Sequence, residues 1–329
     1  GTTDVLLAVN FAMFALYPML SSVLHRVAKA GNSERVALFS LAGAFIAFGI
    51  AVFQVVVQHL ARAEGYGSNP IPSATVALFL GFFALLGVIV VRSVWRYVFL
   101  LGPIAGVATV FLGGSRGPLL AVPALVVVAL FALPFRRAVS IGVVVVLATI
   151  AGTAFALKPA ALGRIEQLPN IMGQLLSGQE VDRNIDRSAN IRYRILEGSL
   201  AAFRDSPWLG YGWYMKVPAV KERLKEPVGF GDPRVAHLHS DILNLGVSAG
   251  IVGLIAYLTV LLAPIVSAVR SPRDSQYRGR LFLAFSLSAG YLCCGAVNLL
   301  FGFEFMTTMY VCFAAIFIGY CRDAADLAA

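Results

Sequence analysis

Two histidines, His237 and His239, lie two residues apart in Ala-His-Leu-His-Ser-Asp, directly before a long apolar stretch. An imidazole exchanges a proton near neutral pH, so a histidine at such a junction can act as a general base. Asp241, two residues past His239, is of the type that orients a catalytic imidazole or binds a metal. The other candidate groups are arginines. Arg116 is the only charge between Arg96 and Arg136, and it sits in Gly-Gly-Ser-Arg-Gly-Pro, where backbone amides can also approach an anion. The stretch from Lys158 to Ser240 carries twelve basic residues against nine acidic ones. A guanidinium offers a fixed fork of donors that matches phosphate oxygens and stays charged at any relevant pH. Two or three of them at a membrane surface can clamp a lipid-linked diphosphate. Most bases in such a stretch merely face water or headgroups, and an isolated Arg116 can equally snorkel to the headgroups. His25 and His59, at the edges of apolar runs, read as ordinary interfacial residues.

Several chemistries lack their residues. No phosphate-binding Gly-rich loop ending in Lys-Ser/Thr, no His-Glu-x-x-His and no Gly-x-Ser-x-Gly is present. Asp182 and Asp186 lie within Asp-Arg-Asn-Ile-Asp-Arg, where Arg183 and Arg187 oppose a bound cation. The expectation is therefore no metal and no cofactor. Cys293, Cys294, Cys312 and Cys321 fall in apolar runs near the C-terminus, with spacing that suits packing and no metal site. The apolar runs hold almost no ionisable residue at mid-depth, which counts against ion-coupled transport. Nucleic acid is not an expected partner.

These groups must be positioned by membrane helices. Of 329 residues, 59% are hydrophobic and only 13% charged, about half the charge of a soluble domain. The charges gather between runs that are apolar all round, as in transmembrane helices. Nine spans are expected: Val5–Leu24, Val36–Gln58, Thr75–Val91, Tyr97–Leu112, Pro118–Pro134, Val139–Leu157, Ile242–Val266, Leu281–Leu300 and Phe305–Tyr320. Pro103 and Gly106 read as interruptions of the fourth. Basic residues fill one set of short loops: Arg26, Lys29 and Arg35, then Arg92 and Arg96, Arg136 and Arg137, and Arg270 to Arg280. That set is cytoplasmic by the positive-inside rule. The long loop 158–240 then lies outside, between six spans in 1–157 and three in 241–329. Within it, Ala161–Ser177 has helical spacing and Ile191–Asp205 reads as an amphipathic helix with Asn190 as N-cap. Pro207–Tyr214 is an aromatic, Gly-rich turn, and Pro218–Glu226 a short helix. The fold class is all-α, a polytopic helical bundle with one large periplasmic loop. Gly1 falls outside in this topology, no signal peptide is visible, and further spans are expected ahead of it.

Three pieces carry a resemblance. Ser115-Arg116-Gly117 opens a span. Arg192 is followed fifteen residues later by Pro207-Trp208-Leu209-Gly210-Tyr211-Gly212. His239-Ser240-Asp241-Ile242-Leu243 leads into a span containing Gly250 and Gly253. In order and sidedness the chain resembles the O-antigen ligase and polymerase family of membrane glycosyltransferases, over roughly residues 100 to 300. The resemblance implies about twelve spans in the inner membrane, with the active site on the periplasmic side. It also implies transfer of a glycan from undecaprenyl diphosphate to a sugar hydroxyl of the lipid A core oligosaccharide, with inversion and without metal. His239 would be the base, and Arg116 and Arg192 the diphosphate ligands, with Asp241, His237 and Ser115 in support. A polymerase or a protein O-oligosaccharyltransferase would share donor and chemistry. A flippase for lipid-linked sugars would want the basic cavity and no base, and a non-catalytic scaffold would need neither.

Overall fold

The structure, a computed structural model, describes residues 8–28, 31–65, 69–115, 117–133, 187–224 and 237–321. The expected span Val139–Leu157, the helix Ala161–Ser177, Arg116, Asp182 and Asp186 lie outside these residues. All regular structure among the described residues is helical. Four helices there are long and apolar enough to cross a membrane: Asn32–Val57, Pro70–Val90, Val94–Gly113 and Asp241–Arg270. Pro118–Ala132 and Glu304–Tyr320 are apolar but shorter, and Met13–Arg26 and Tyr277–Gly295 are helical where two further spans were expected. The chain divides into two compact units, each described by itself.

The larger unit holds 11–153, 260–294 and 304–329. Lipid gives apolar helices no hydrophobic reason to associate, so close backbone contact and polar links must hold them. Pro70–Phe83 and Leu101–Gly113 show such a contact. A Cβ on Gly106 would lie 2.6 Å from the Ala77 carbonyl oxygen, and one on Gly81 would lie 2.5 Å from that of Gly102. The expected interruption at Pro103 and Gly106 is therefore corrected. Pro103 lies just past the change from the 3-10 stretch Val94–Leu100 to the α-helix Leu101–Gly113, and Gly106 serves helix contact. Polar links close the unit elsewhere. Arg280 is fully buried and binds Ser271 Oγ, Asp274 Oδ2 at 2.9 Å and the carbonyl oxygens of Cys321 and Pro272. This arginine ties the connection 271–276 to the end of the last helix.

The smaller unit holds 1–10, 154–259 and 295–303. Its described parts are an arm helix, Arg187–Asp205, a short helix, Lys216–Lys221, and the first half of a broken helix, Asp241–Arg270. The arm helix starts one turn before its expected cap. Asn190 is thus an interior residue, and Pro207 stands two residues beyond the end, as expected. The preceding span also ends early, at Gly295 and not Leu300. Residues 296–303 form turns because the Leu300 and Phe301 amides are claimed by a side chain of the broken helix, described below.

Candidate active site

The broken helix and the turn after the arm form one joint. Gly250 has φ 61° and ψ −147° inside Asp241–Arg270, a conformation open essentially to glycine alone. A helix broken there frees carbonyls and amides that lipid cannot satisfy. The turn Pro207–Gly212 satisfies them. Tyr211 N donates to Val247 O at 2.9 Å, Gly212 N to Ser248 O at 2.8 Å, and Ile251 N to Pro207 O at 2.7 Å. Gly210 and Gly212 have positive φ, and a Cβ on Gly210 would lie 2.4 Å from Val247 O. Reciprocally, a Cβ on Gly250 would lie 2.4 Å from the Pro207 and Trp208 carbonyl oxygens. The Pro-x-x-Gly-x-Gly pattern is thus the matching half of a helix break.

From this joint the arm helix runs back along the broken helix. Ile195 and Ala202 of the arm share a buried cluster with Val220, Leu238 and Val247. Phe203 lies beside Gly246, 3.6 Å from where a Cβ would stand. These contacts bring Arg192, which is exposed, into the electrostatic field of His239. The Arg192 charge thus acts on a histidine 47 positions away in sequence.

His239 is held by its backbone. Its φ of 51° lies in the left-handed region, which a non-glycine residue keeps only where its surroundings demand it. Asn244, fully buried, supplies the demand. Its Oδ1 accepts from Leu238 N at 3.2 Å and its Nδ2 donates to Ser240 O at 2.6 Å, so one amide brackets the histidine on both sides. Leu238, 1% exposed, anchors the same stretch in the apolar cluster. Ser240 caps the helix, its Oγ accepting from Leu243 N at 3.4 Å. Burial first, and the Arg192 charge second, pull the His239 pKa below its usual 6.5. The imidazole is therefore neutral at neutral pH, the form that takes a proton.

The His237 ring lies 4.5 Å from that of His239 between centroids, tilted by 58°. Burial, then His239, then Lys216 lower its pKa to about 4. Lys216 is itself buried, with Nζ 3.5 Å from the centre of the Trp213 ring and donating to Trp213 O at 3.0 Å. Arg223 donates to Asp205 Oδ2 at 2.7 Å and to Tyr211 Oη at 2.8 Å, tying the end of the arm to the joint. Sequence reasoning singled out neither Lys216 nor Arg223, nor Asn244. The Trp213-x-x-Lys216 spacing was the one available signal.

Asp241 is fully buried. Its Oδ1 accepts from Leu300 N at 2.7 Å and Phe301 N at 3.1 Å, and Oδ2 is packed against Gly295. It pins the turns 296–303 to the helix that starts beside His239. Ser115, in the other unit, is buried just past the left-handed Gly114 that ends Leu101–Gly113.

In chemical terms, a neutral imidazole beside a guanidinium can deprotonate a hydroxyl while an anion rests on the arginine. No curated protein matches the chain. Residues 101–258, which include Ser115, Arg116, Arg192, both halves of the joint and His239, match the family model described as O-Antigen ligase. The match covers 158 of the chain's 329 residues and is to a family of membrane glycosyltransferases of the ligase and polymerase type.

Proposed function

We propose that this protein moves a glycan from undecaprenyl diphosphate to a sugar hydroxyl of the lipid A core oligosaccharide, on the periplasmic side of the inner membrane. The observation that carries the reading is His239 clamped by the Asn244 amide at the end of the broken helix, within range of the Arg192 charge. His239 takes the proton of the acceptor hydroxyl as that oxygen bonds to the anomeric carbon. The bond from that carbon to the diphosphate oxygen breaks, its electrons pass to the diphosphate, and configuration inverts. Arg192 stabilises the charge that develops on the leaving group, the largest contribution such donors make. Arg116 enters as a second diphosphate ligand on the strength of its motif alone. With arginines neutralising the diphosphate, no metal is required. His237, Ser115 and Asp241 have supporting roles.

The asymmetry of basic residues between short loops supports the periplasmic placement of 158–240, between spans in 1–157 and 241–329. The test is transfer by purified protein from lipid-linked glycan to core oligosaccharide, with and without chelator. His239→Ala should abolish transfer and leave donor binding intact, with His237→Ala milder. Turnover by purified His239→Ala removes the base assignment. Activity lost in chelator and restored only by a divalent cation removes the metal-free mechanism. Extension of the donor glycan itself, in place of transfer to the core, would make the enzyme a polymerase.

A further inference from the structure

The broken helix is too long for the membrane it enters, and its exposed surface shows where the membrane begins. From Ile242 to Val269 it carries no charged residue, which at 1.5 Å per residue is about 42 Å against a hydrocarbon core of about 30 Å. Below the break, Val252, Ile255, Leu258, Leu262, Val266 and Val269 form one exposed apolar stripe, each at least 42% exposed. Between Leu243 and Ala249 no large apolar side chain is exposed, because the arm helix and the short helix cover that part. The stripe from Gly250 to Arg270 measures about 30 Å, the thickness of the hydrocarbon. Gly250 therefore marks its edge.

At that edge the joint presents two large, exposed apolar side chains. Trp208 is 69% and Leu209 73% exposed, although both belong to the turn whose backbone is pressed against Gly250. The Pro207 and Trp208 backbone touches Gly250, so both side chains start from the level at which the stripe begins. Tryptophan favours this boundary, with its ring in the apolar edge and its N–H among headgroups.

We propose that Trp208 and Leu209 insert into the phospholipid bilayer at the Gly250 level, making the Pro207–Gly212 turn a membrane anchor that sets the depth of the arm. The occupant of this surface is lipid, and the anchor holds Arg192 and His239 at a fixed height above the hydrocarbon.

The chain has three tryptophans, Trp95, Trp208 and Trp213, so fluorescence can isolate one. The Trp95→Phe/Trp213→Phe protein is reconstituted in phosphatidylcholine vesicles with bromines near the glycerol end or near the methyl end of the acyl chain. Trp208 emission should be blue-shifted relative to water, lose most intensity to the shallow bromines and little to the deep ones, and resist aqueous acrylamide. The difference between wild type and Trp208→Phe supplies the same measurement with the Trp213–Lys216 contact intact. Water-like emission with no bromolipid quenching overturns the proposal, and so does strongest quenching by the deep bromines.

Discussion

Replacing Gly250 with alanine tests the joint directly. Two costs add. At φ 61° and ψ −147° an L-residue is in a region left essentially to glycine, which costs about 1–3 kcal/mol. The new Cβ would also stand 2.4 Å from the carbonyl oxygens of Pro207 and Trp208 and the carbonyl carbon of Trp208. These are backbone atoms held by three hydrogen bonds, so they cannot swing aside as a side chain end would. Overpacking of this kind costs about 1–3 kcal/mol more. The sum is a loss of about 2–6 kcal/mol, released only by detaching the turn. Gly246, one helical turn earlier, is the control. A Cβ there meets nothing closer than Phe203 Cδ2 at 3.6 Å, so Gly246→Ala should be neutral or stabilise the helix by up to about 1 kcal/mol. The assay is unfolding of each variant in the same detergent, followed by tryptophan fluorescence. Gly250→Ala should melt well below wild type and transfer glycan poorly, because the arm loses its seat. A Gly250→Ala protein as stable as Gly246→Ala would refute the joint.

Other outcomes follow from the same geometry. The acid limb of kcat/KM should lie below 6.5, because the depressed His239 stays neutral as pH falls through its ordinary value. Arg192→Lys should keep that limb but lose about a hundredfold in rate, whereas Arg192→Gln should move it upward. A wild-type limb at or above 6.5 would contradict a buried base next to a cation. The linked stability has the same sign. Above 6.5 it is complete, and it is lost between 6.5 and about 4 as the unfolded chain binds the proton that folded His237 refuses. Asp241→Asn retains an acceptor for the Leu300 and Phe301 amides and should stay folded and active, whereas Asp241→Ala leaves two buried amides unpaired at about 1–3 kcal/mol each. A stable but inactive Asp241→Asn would instead make the carboxylate a partner of the chemistry. Asn244→Leu removes both bonds that bracket His239. It should lower kcat on the order of a hundredfold with little change in donor KM, and unchanged kcat would free the bracket of that role.

Helix class and the amphipathic arm were legible because their signals are local. The stripe Ile191, Ile195, Leu196, Leu200 and Phe203 requires only 3.6-residue periodicity to read. What was misread depends on neighbours. Gly106 and Pro103 look like a break until Ala77 is seen against Gly106, since a glycine that ends a helix and one that admits a second helix look alike in sequence. Asn244 was invisible for the same reason. An asparagine inside an apolar run gives no hint that its amide grips the backbone on either side of His239. Asp241 was seen, and sequence proximity suggested His239 as its partner. Its Oδ1 accepts from amides 59 and 60 residues away.

The action of the Arg192 charge on His239 then explains why the spacing of the motifs matters. The two helices reach the joint as parallel rods, one traced back from Pro207 and the other from Gly250. Arg192 lies fifteen residues from Pro207, and His239 eleven from Gly250. At 1.5 Å per helical residue these are runs of about 22 Å and about 16 Å. The glycines of Pro-x-x-Gly-x-Gly and Gly250 need touch no substrate to matter. They fix the common origin from which both rods are measured, and buried contacts from Ile195 to Leu238 and Val247 fix the rotation. A single residue added within the arm would turn Arg192 by about 100° around its axis while leaving the joint and the histidine in place. The interval between motifs is therefore as much a part of the site as the arginine and the histidine themselves.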